Sequence, residues 1–189
     1  GGPEEHLSWV RKAKEAAGIP IIASLNAVSE STWLKWAQRL ADTGVDGLEL
    51  NFYATPTDPN KKAQYLEEQQ LRIVEEIKRH VSIPVAVKLS PFYTNPLNVI
   101  SRMGSAGADA VVLFNRFFQP DIDVEKEEQV FTFDLSEPHE HRLPLRFTGL
   151  LHGKLKADIC CNSGIMDAKD TIKMIMAGAD AVQMVGALY

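Results

Sequence analysis

The stretch Ala106-Gly107-Ala108-Asp109-Ala110-Val111 decides the fold, because versions of it occur three times along the chain. The other two are Thr43-Gly44-Val45-Asp46-Gly47-Leu48 and Ala177-Gly178-Ala179-Asp180-Ala181-Val182. In each copy a helical pattern precedes the glycine, and a short apolar run follows the aspartate. Glycine can adopt the left-handed conformation that ends a helix. The repeat therefore predicts that helices and strands alternate.

The apolar runs predict six strands, which are near-continuous and typical of parallel strands covered on both faces. The predicted strands are Pro20–Leu25, Gly47–Asn51, Val85–Ser90, Ala110–Asn115, Asp158–Asn162 and Ala181–Val185. Between them, apolar residues recur at helical spacing. The three clearest stripes are Trp33, Ala37, Leu40 and Ala41; Leu66, Ile73, Val74 and Ile77; and Ala168, Ile172, Ile175 and Met176. Ser29 is the expected N-cap of the first of these helices.

This alternation predicts an α/β fold, either an open doubly wound sheet or a closed (β/α)8 barrel. Repetition of whole two-unit blocks, and the absence of a G-x-G-x-x-G turn after any strand, favour the barrel. A complete TIM barrel needs about 250 residues. We therefore expect residues 1–189 to form one partial barrel domain, about strands 3 to 8, with two βα units before Gly1 and a last helix after Tyr189.

One connection, at about residues 116–157, is longer than a βα crossover needs. Its segment Val130–Asp134 alternates like a hairpin strand, and a helix is expected from near Pro144 to near Gly153. A connection at the carboxyl end of a barrel strand lies over the active-site face. Two interpretations stay open, a lid over the substrate and a solvated surface hairpin.

Composition excludes several classes of protein. Of the 189 residues, 45% are hydrophobic and 24% are charged, which is typical of a globular domain. The net charge of −5 argues against a nucleic-acid partner, and no apolar run approaches the ~20 residues that span a bilayer. Cys160 and Cys161 are adjacent and poorly placed for a disulfide, so a reducing, cytoplasmic location is expected.

Barrel geometry sorts the polar residues, because strand carboxyl ends carry function and strand amino ends carry stability. The repeated aspartates, Asp46, Asp109 and Asp180, begin strands and are expected to be structural. The carboxyl ends predict a ring of hydrogen-bonding groups: Asn26, Asn51, Lys88, Ser90, Asn115, Arg116, Asn162 and Ser163.

Lys88 lies inside a predicted strand, where an unpaired ammonium group is costly, so an anionic or strongly accepting group should face it. Three roles are open: a Schiff-base nucleophile, a charge that stabilises an anionic reaction species, and a structural ion pair, for example with Glu49.

Small residues after the last two predicted strands, in Cys161–Ile165 and Gln183–Leu188, would let backbone N–H groups approach an anion. Barrels often bind phosphate at these two loops, although an ordinary tight turn explains the same residues. His139 and His141 indicate a solvated loop more than a metal centre, because no third ligand has a suitable spacing. No metal site is predicted.

Several motifs occur together in a characteristic order: Leu48–Asn51, Val87–Pro91, Leu113–Arg116, Ser163–Ile165, Ala177–Gln183, Asn51-Phe52-Tyr53 followed by Pro56-Thr57-Asp58-Pro59, and Asn115–Asp123. In their order and spacing they resemble the dihydroorotate dehydrogenase family, and most of all its bacterial dihydroorotate dehydrogenase-like branch. The resemblance implies an FMN-binding TIM barrel that oxidises a dihydropyrimidine.

The resemblance also implies roles for individual residues. Lys88 would lie against the N1/O2 edge of the flavin and stabilise the negative charge of its reduced form, which demotes the Schiff base. The implied cofactor-binding residues are Asn51, Lys88, Phe114, Ser163, Gly164, Val185 and Gly186, the last four through backbone groups at the phosphate. The implied substrate-binding residues are Asn51, Asn115 and Arg116.

The chain departs from the family where the catalytic base belongs. Counted from Asn51, the family's Cys or Ser is replaced by Ala54, which cannot accept a proton. Thr55, the weaker catalytic candidate, or Tyr53 could substitute only with an activating neighbour.

Three functions are carried forward. The first is an FMN-dependent dehydrogenase of pyrimidine biosynthesis, acting on the CH–CH bond of dihydroorotate or a related dihydropyrimidine. The second is a lyase that uses Lys88 as a Schiff-base nucleophile, and the third is a catalytically silent FMN-binding or scaffold subunit. We expect a small-molecule substrate, no nucleic acid and no membrane span, and leave open a homodimer of the full-length protein.

Overall fold

The structure is a computed structural model that describes residues 2–53, 55–131 and 134–189. Its centre is a six-stranded parallel sheet in the order β1-β2-β3-β4-β7-β8. These strands are β1 (Ile22–Leu25), β2 (Gly47–Asn51), β3 (Val85–Leu89), β4 (Ala110–Leu113), β7 (Asp158–Cys161) and β8 (Ala181–Val182). All six predicted strands are present. Each observed strand ends at the predicted last residue or before it, because the chain turns into a loop there.

Helices alternate with the strands, which confirms a partial (β/α) barrel. They are α1 (Pro3–Ala16), α2 (Glu30–Ala41), α3 (Ala63–His80), α4 (Pro96–Ser105), α5 (Arg142–Leu151) and α6 (Ala168–Ala177). The Ser29 hydroxyl accepts a 3.3 Å bond from the Thr32 N–H at the start of α2, as predicted. Gly44, Gly107 and Gly178, the repeated glycines, all have positive φ. Among the described residues, no helix is both long and apolar enough to cross a membrane.

The repeated aspartates tie neighbouring strands together at their amino ends. Asp109 Oδ2 accepts a 2.8 Å bond from the Val85 N–H, and the Asp109 N–H donates to the Val85 carbonyl at 2.9 Å. The same reciprocal pairing joins Asp46 to Ile21 and Asp180 to Ile159. These aspartates therefore have the structural role that the sequence predicted.

The core lies between the sheet and the helices. In β3, Val85, Val87 and Leu89 are fully buried against the helices, whereas Ala86 and Lys88 point to the opposite, concave face and are partly accessible. The prediction that both faces are covered holds for β2 and β4, whose successive residues are buried, but not for β1, β3 and β7, in which burial alternates. On the edge strand β1, Ile22 is 61% exposed because no described element lies opposite its concave face.

The long connection contains an antiparallel hairpin of β5 (Pro120–Asp123) and β6 (Glu128–Phe131), which is largely exposed. It returns through a 3₁₀ helix, Pro138–His141, into α5. The predicted hairpin is confirmed, although residues 132 and 133 of its predicted strand lie outside the described residues. The helix begins two residues earlier than predicted.

One predicted helical stripe is wrong. In α6 the buried residues are Asp170 and Met174, whereas Ile172, Ile175 and Met176 are 49–82% exposed. The helix faces the sheet with Met174 and packs beside α5, and no described element covers its other flank. Apolar spacing alone does not say which face of a helix meets the sheet.

Candidate active site

The carboxyl ends of the parallel strands meet at one edge of the sheet and carry most of the predicted polar ring. Asn51 at the end of β2 lies opposite Lys88 of β3 in the strand register. The backbone N–H of Asn115 donates to the Leu89 carbonyl at 2.7 Å, which holds the segment after β4 against β3. Parallel pairing therefore brings residues that are far apart in sequence to one mouth.

Lys88 takes part in a three-residue network on the concave face. Its ammonium group donates to Gln183 Oε1 at 3.3 Å and lies 3.9 Å from Glu49 Oε1. The Gln183 amide donates to Glu49 Oε2 at 2.6 Å. Glu49, which the sequence offered as a structural partner, is therefore a neighbour of Lys88, but the two charges are not in direct hydrogen-bond contact.

Three asparagines surround this network. The Asn115 amide donates to the carbonyls of Phe52 at 3.2 Å and Lys88 at 3.3 Å, so it fixes the carboxyl ends of β2 and β3. Asn51 Oδ1 and Asn162 Oδ1 are buried and have no hydrogen-bond partner among the described residues. A buried acceptor without a partner is costly, so both atoms are suited to binding a hydrogen-bonding ligand.

An inner cavity of about 240 Å³ gathers most of the predicted cofactor residues. It is lined by Lys88, Arg116, Phe118, residues 134–136, residues 162–165 and residues 183–186. Thus the loops after β7 and β8 share one space with the Lys88 side chain. Residues 134–136 show that the returning part of the long connection forms a wall of this cavity.

The loop after β7 is held closely against that connection. Ser163 and Gly164 both have positive φ, at 72° and 67°. A Cβ atom on Gly164 would lie 2.5 Å from the His141 nitrogen and 2.6 Å from the Glu137 oxygen, both backbone atoms. Glycine is therefore required at this position by both conformation and packing.

An outer cavity of about 590 Å³ adjoins the inner one. It is lined by residues 91–92, 114–121, 143–144 and 162–163, together with Asp134 and Glu140. Phe114, Asn115 and Arg116 therefore open mainly into this larger space. Its walls are rich in aromatic rings, and Phe117 contacts Tyr53 edge-on with ring centroids 4.5 Å apart.

Arg116 is already bound to protein groups. Its Nε lies 2.9 Å from Glu140 Oε2, and its Nη1 donates to the Asp134 carbonyl. The predicted substrate contact stays a prediction, and the observed contacts give Arg116 a further role in securing the long connection.

Thr55 lies away from Lys88. It is exposed, lines neither the inner nor the outer cavity, and has no hydrogen-bond partner among the described residues. The Tyr53 hydroxyl accepts a 2.9 Å bond from the Phe118 N–H and so fastens a loop. Ala54, at the family's base position, lies outside the described residues.

The two cysteines point in different directions, as expected for neighbours in a strand. Cys161 is buried toward α5, with its sulfur 2.9 Å from the Thr148 hydroxyl. Burial raises the pKa of the Cys160 thiol to about 12, and the nearby Cys161 and Glu49 add to the effect. Cys160 is therefore a neutral thiol at physiological pH. Within residues 2–53, 55–131 and 134–189, no cluster of His, Cys, Asp and Glu could hold a metal ion.

Gln183 is the member of the Lys88 network that sequence reasoning did not assign. A signal was present, because Glu49 and Gln183 each stand three residues after a repeated aspartate, Asp46 and Asp180. The same position in the remaining repeat is Val112. Polar side chains at one repeat position of two apolar strands indicate a shared place on the concave face.

The fold and the site define a partial barrel of the (β/α) class, with a cation and two loops gathered at the strand carboxyl ends. Within that class the chain belongs to the dihydroorotate dehydrogenase family, whose model matches residues 3–189.

Named relatives support this assignment. The chain is 34% identical to the catalytic subunit of dihydroorotate dehydrogenase B (NAD(+)) of Thermoplasma volcanium, over 100% of the chain and 63% of the relative. It is 30% identical to dihydroorotate dehydrogenase A (fumarate) of Limosilactobacillus reuteri, over 98% of the chain and 61% of the relative. The chain thus spans less than two thirds of the length of these relatives.

A solved structure of dihydroorotate dehydrogenase from Eimeria tenella, in complex with ferulenol, has the same fold. It superposes with a TM-score of 0.67 and 15% identity, over 98% of this chain and 58% of the other.

The residues fit a flavin mononucleotide. An oxidised flavin ring offers one N–H donor and several acceptors, and the unpartnered Oδ1 of Asn162, which lines both cavities, can accept a hydrogen bond from a ligand. The unpartnered Oδ1 of Asn51 lies next to Lys88 in the strand register, although Asn51 lines neither cavity. Lys88 supplies a cation, and the loops at residues 162–165 and 183–186 bring backbone groups to the same cavity. The donor set therefore agrees with the cofactor that the sequence resemblance implies.

Proposed function

We propose that the intact protein is an FMN-dependent oxidoreductase that oxidises dihydroorotate or a related dihydropyrimidine. Family membership supports the reaction class. The observation that carries the proposal is the placement of the Lys88 ammonium at the inner cavity, together with the loops after β7 and β8. FMN, when bound, supplies the acceptor for the hydride.

Lys88 supplies positive charge where negative charge develops. An ammonium group has three donors; one goes to Gln183 and another lies toward Glu49. The third is used by no described residue and is available to the cofactor. A cation fixed in a partly dry site is most effective at stabilising a developing anion.

Asparagines would orient the two reactants. Asn115 is held by the carbonyls of Phe52 and Lys88, so its position is set by two strands rather than by a flexible loop. Asn51 lies next to Lys88 in the register and offers the free acceptor of its amide. Both fit the roles at the flavin and the substrate ring that the motifs imply.

The proton acceptor is not assigned to any described residue. Thr55 lacks an activating partner, and the high pKa of Cys160 removes its thiol as a base. The residue at position 54 is alanine. This substitution is the observation that favours a second candidate, an FMN-binding protein without dihydroorotate-oxidising activity.

The Schiff-base alternative has less support. A Schiff-base lysine must present its nitrogen to a carbonyl carbon, whereas the Lys88 nitrogen already donates to Gln183 Oε1 at 3.3 Å and lies 3.9 Å from Glu49 Oε1. Borohydride trapping with a panel of aldehydes and ketones should leave the mass of Lys88 unchanged.

The test is spectroscopic. Purified intact protein, supplemented with FMN, should show the absorption bands of a bound flavin, and anaerobic dihydroorotate or another dihydropyrimidine should bleach them. Absence of flavin binding would refute the proposal. A bound flavin that no dihydropyrimidine reduces, although dithionite does, would establish the silent FMN-binding protein instead.

A further inference from the structure

We infer that Gln183 is a positioning residue, which holds the Lys88 ammonium apart from Glu49 and directs it to the inner cavity. The inference rests on the proposed function, since the charge that Lys88 would stabilise is that of the reduced flavin. Its geometric part, the spacing of two charges by an amide, is independent of any ligand.

The amide of Gln183 bridges two opposite charges from one side. Its oxygen accepts from the Lys88 ammonium at 3.3 Å, and its nitrogen donates to Glu49 at 2.6 Å. The two charged atoms remain 3.9 Å apart, whereas a direct charged hydrogen bond would bring them to about 2.8 Å. The shorter, stronger bond is thus the one between the amide and the carboxylate.

The charges also fix the direction of the amide. If it were turned over, the NH₂ group would face the ammonium and the carbonyl oxygen would face the carboxylate. Both contacts would be repulsive, because an ammonium has no acceptor and an ionised carboxylate has no donor. Gln183 therefore has one favourable orientation, which suits a residue that sets a distance.

Three separate strands hold the network. Glu49 is on β2 and Lys88 on β3, while Gln183 directly follows β8, and its backbone N–H donates to the Cys161 carbonyl at 2.8 Å. The side chains are mostly buried, with Lys88 18% and Glu49 10% exposed. Backbone pairing anchors each member, so the spacing does not depend on a loop.

Lys88 and Gln183 line the inner cavity, whereas Glu49 does not. The ammonium and the amide therefore lie on the cavity wall, and the carboxylate does not. Cys160, the other titratable group near the pair, is neutral because burial raises its pKa to about 12. Removing the amide would let the ammonium turn back and pair directly with Glu49.

The size of this effect follows from the distances. Closing the gap from 3.9 Å to about 2.8 Å strengthens the attraction about tenfold in equilibrium terms, at an effective dielectric constant of about 20. The fraction of molecules in which the Lys88 ammonium faces the cavity should fall by a similar factor. Neutralising Glu49 should have the opposite effect, because it frees the ammonium.

Sulfite binding measures this charge without any substrate. Sulfite adds to an oxidised flavin and leaves negative charge on the ring, so a nearby cation tightens its binding, which bleaching of the flavin band reports. In the FMN-loaded intact protein, Gln183→Met should weaken sulfite binding about tenfold, and Glu49→Gln should tighten it. Gln129→Met, at an exposed hairpin glutamine, is the matched control and should change nothing.

A second measurement needs no flavin. In the intact protein freed of flavin, acetic anhydride labels Lys88 at a rate that peptide mass spectrometry reports at a fixed pH. Direct pairing with Glu49 should make this labelling about tenfold slower in Gln183→Met, and Glu49→Gln should make it faster. Gln183→Glu, which adds a second carboxylate beside Lys88, should also slow it and serves if Gln183→Met does not fold.

The two arms separate the possible failures. Unchanged labelling in Gln183→Met, or a change in the same direction in Gln183→Met and Glu49→Gln, overturns the positioning role. If the protein binds no FMN but the labelling rates change in opposite directions, the proposed function fails and the spacing by Gln183 stands.

Discussion

Replacement of Asp180 tests whether the repeated aspartates hold the strands together. Its Oδ2 accepts a 2.8 Å bond from the N–H of Ile159, a residue that is 4% exposed. In Asp180→Ala this buried N–H loses its partner, which should cost about 1–3 kcal/mol of unfolding free energy. Asp180→Asn keeps an oxygen at the same place, so its cost should stay below about 0.5 kcal/mol.

Asp109 makes the same bond to a strand and, in addition, an ion pair with Lys78 at 2.6 Å. Burial alone would raise the pKa of Asp109, but the hydrogen bonds from Lys78 and from the Val85 N–H lower it by more. The net pKa therefore lies below the ordinary value for an aspartate. A carboxyl with a lowered pKa in the folded state stabilises the protein above the ordinary pKa of about 4 and stops doing so as the pH falls. Asp109→Asn should therefore cost stability at pH 7 and progressively less at acidic pH.

The assay is urea unfolding of the intact protein, with flavin content as a control for the integrity of the opposite end of the barrel. Asp180→Ala should lower the urea midpoint without changing the slope of the transition. If Asp180→Asn is as destabilising as Asp180→Ala, the hydrogen bond to the strand is not what the aspartate contributes, and the structural assignment is refuted.

Two further predictions concern the site. Gly164→Ala should destabilise the protein by about 1–3 kcal/mol, because the added Cβ would meet backbone atoms of His141 and Glu137. Gly149→Ala is the control: this glycine lies in a helix, its Cβ would meet nothing within 4 Å, and the substitution should not destabilise the protein. Cys160, whose thiol has a pKa of about 12, should resist alkylation by iodoacetamide at pH 8 in the folded protein and react after unfolding. Alkylation at equal rates in the two states would contradict its burial.

Much of the fold was predictable because one signal occurs three times. The repeat of glycine followed by aspartate set the alternation of helix and strand, and the strand positions follow from it. Which face of a helix packs on the sheet was less predictable, as the exposed side chains of Ile172, Ile175 and Met176 show. Apolar spacing identifies a helix, but which side meets the sheet depends on neighbours that are distant in sequence.

The part of the site that could be predicted from the sequence is the part that follows from the charge of a single side chain, Lys88. A lysine within an apolar strand required a partner, and Glu49 and Gln183 provide it. The part played by Gln183 was not predicted, because it is separated from Lys88 by 95 positions and only the folded sheet brings them together. The engagement of Arg116 by Glu140 was likewise hidden, since it depends on how the long connection returns.

The central claim is that Lys88 supplies the charge that stabilises reduced flavin. The direct measurement is the midpoint potential of FMN bound to the intact protein and to Lys88→Met, with Lys126→Met on the exposed hairpin as the control. The account predicts a potential tens of millivolts lower in Lys88→Met only, where about 30 mV corresponds to about 1.4 kcal/mol for a two-electron couple. Equal potentials in the wild-type protein and Lys88→Met would contradict it.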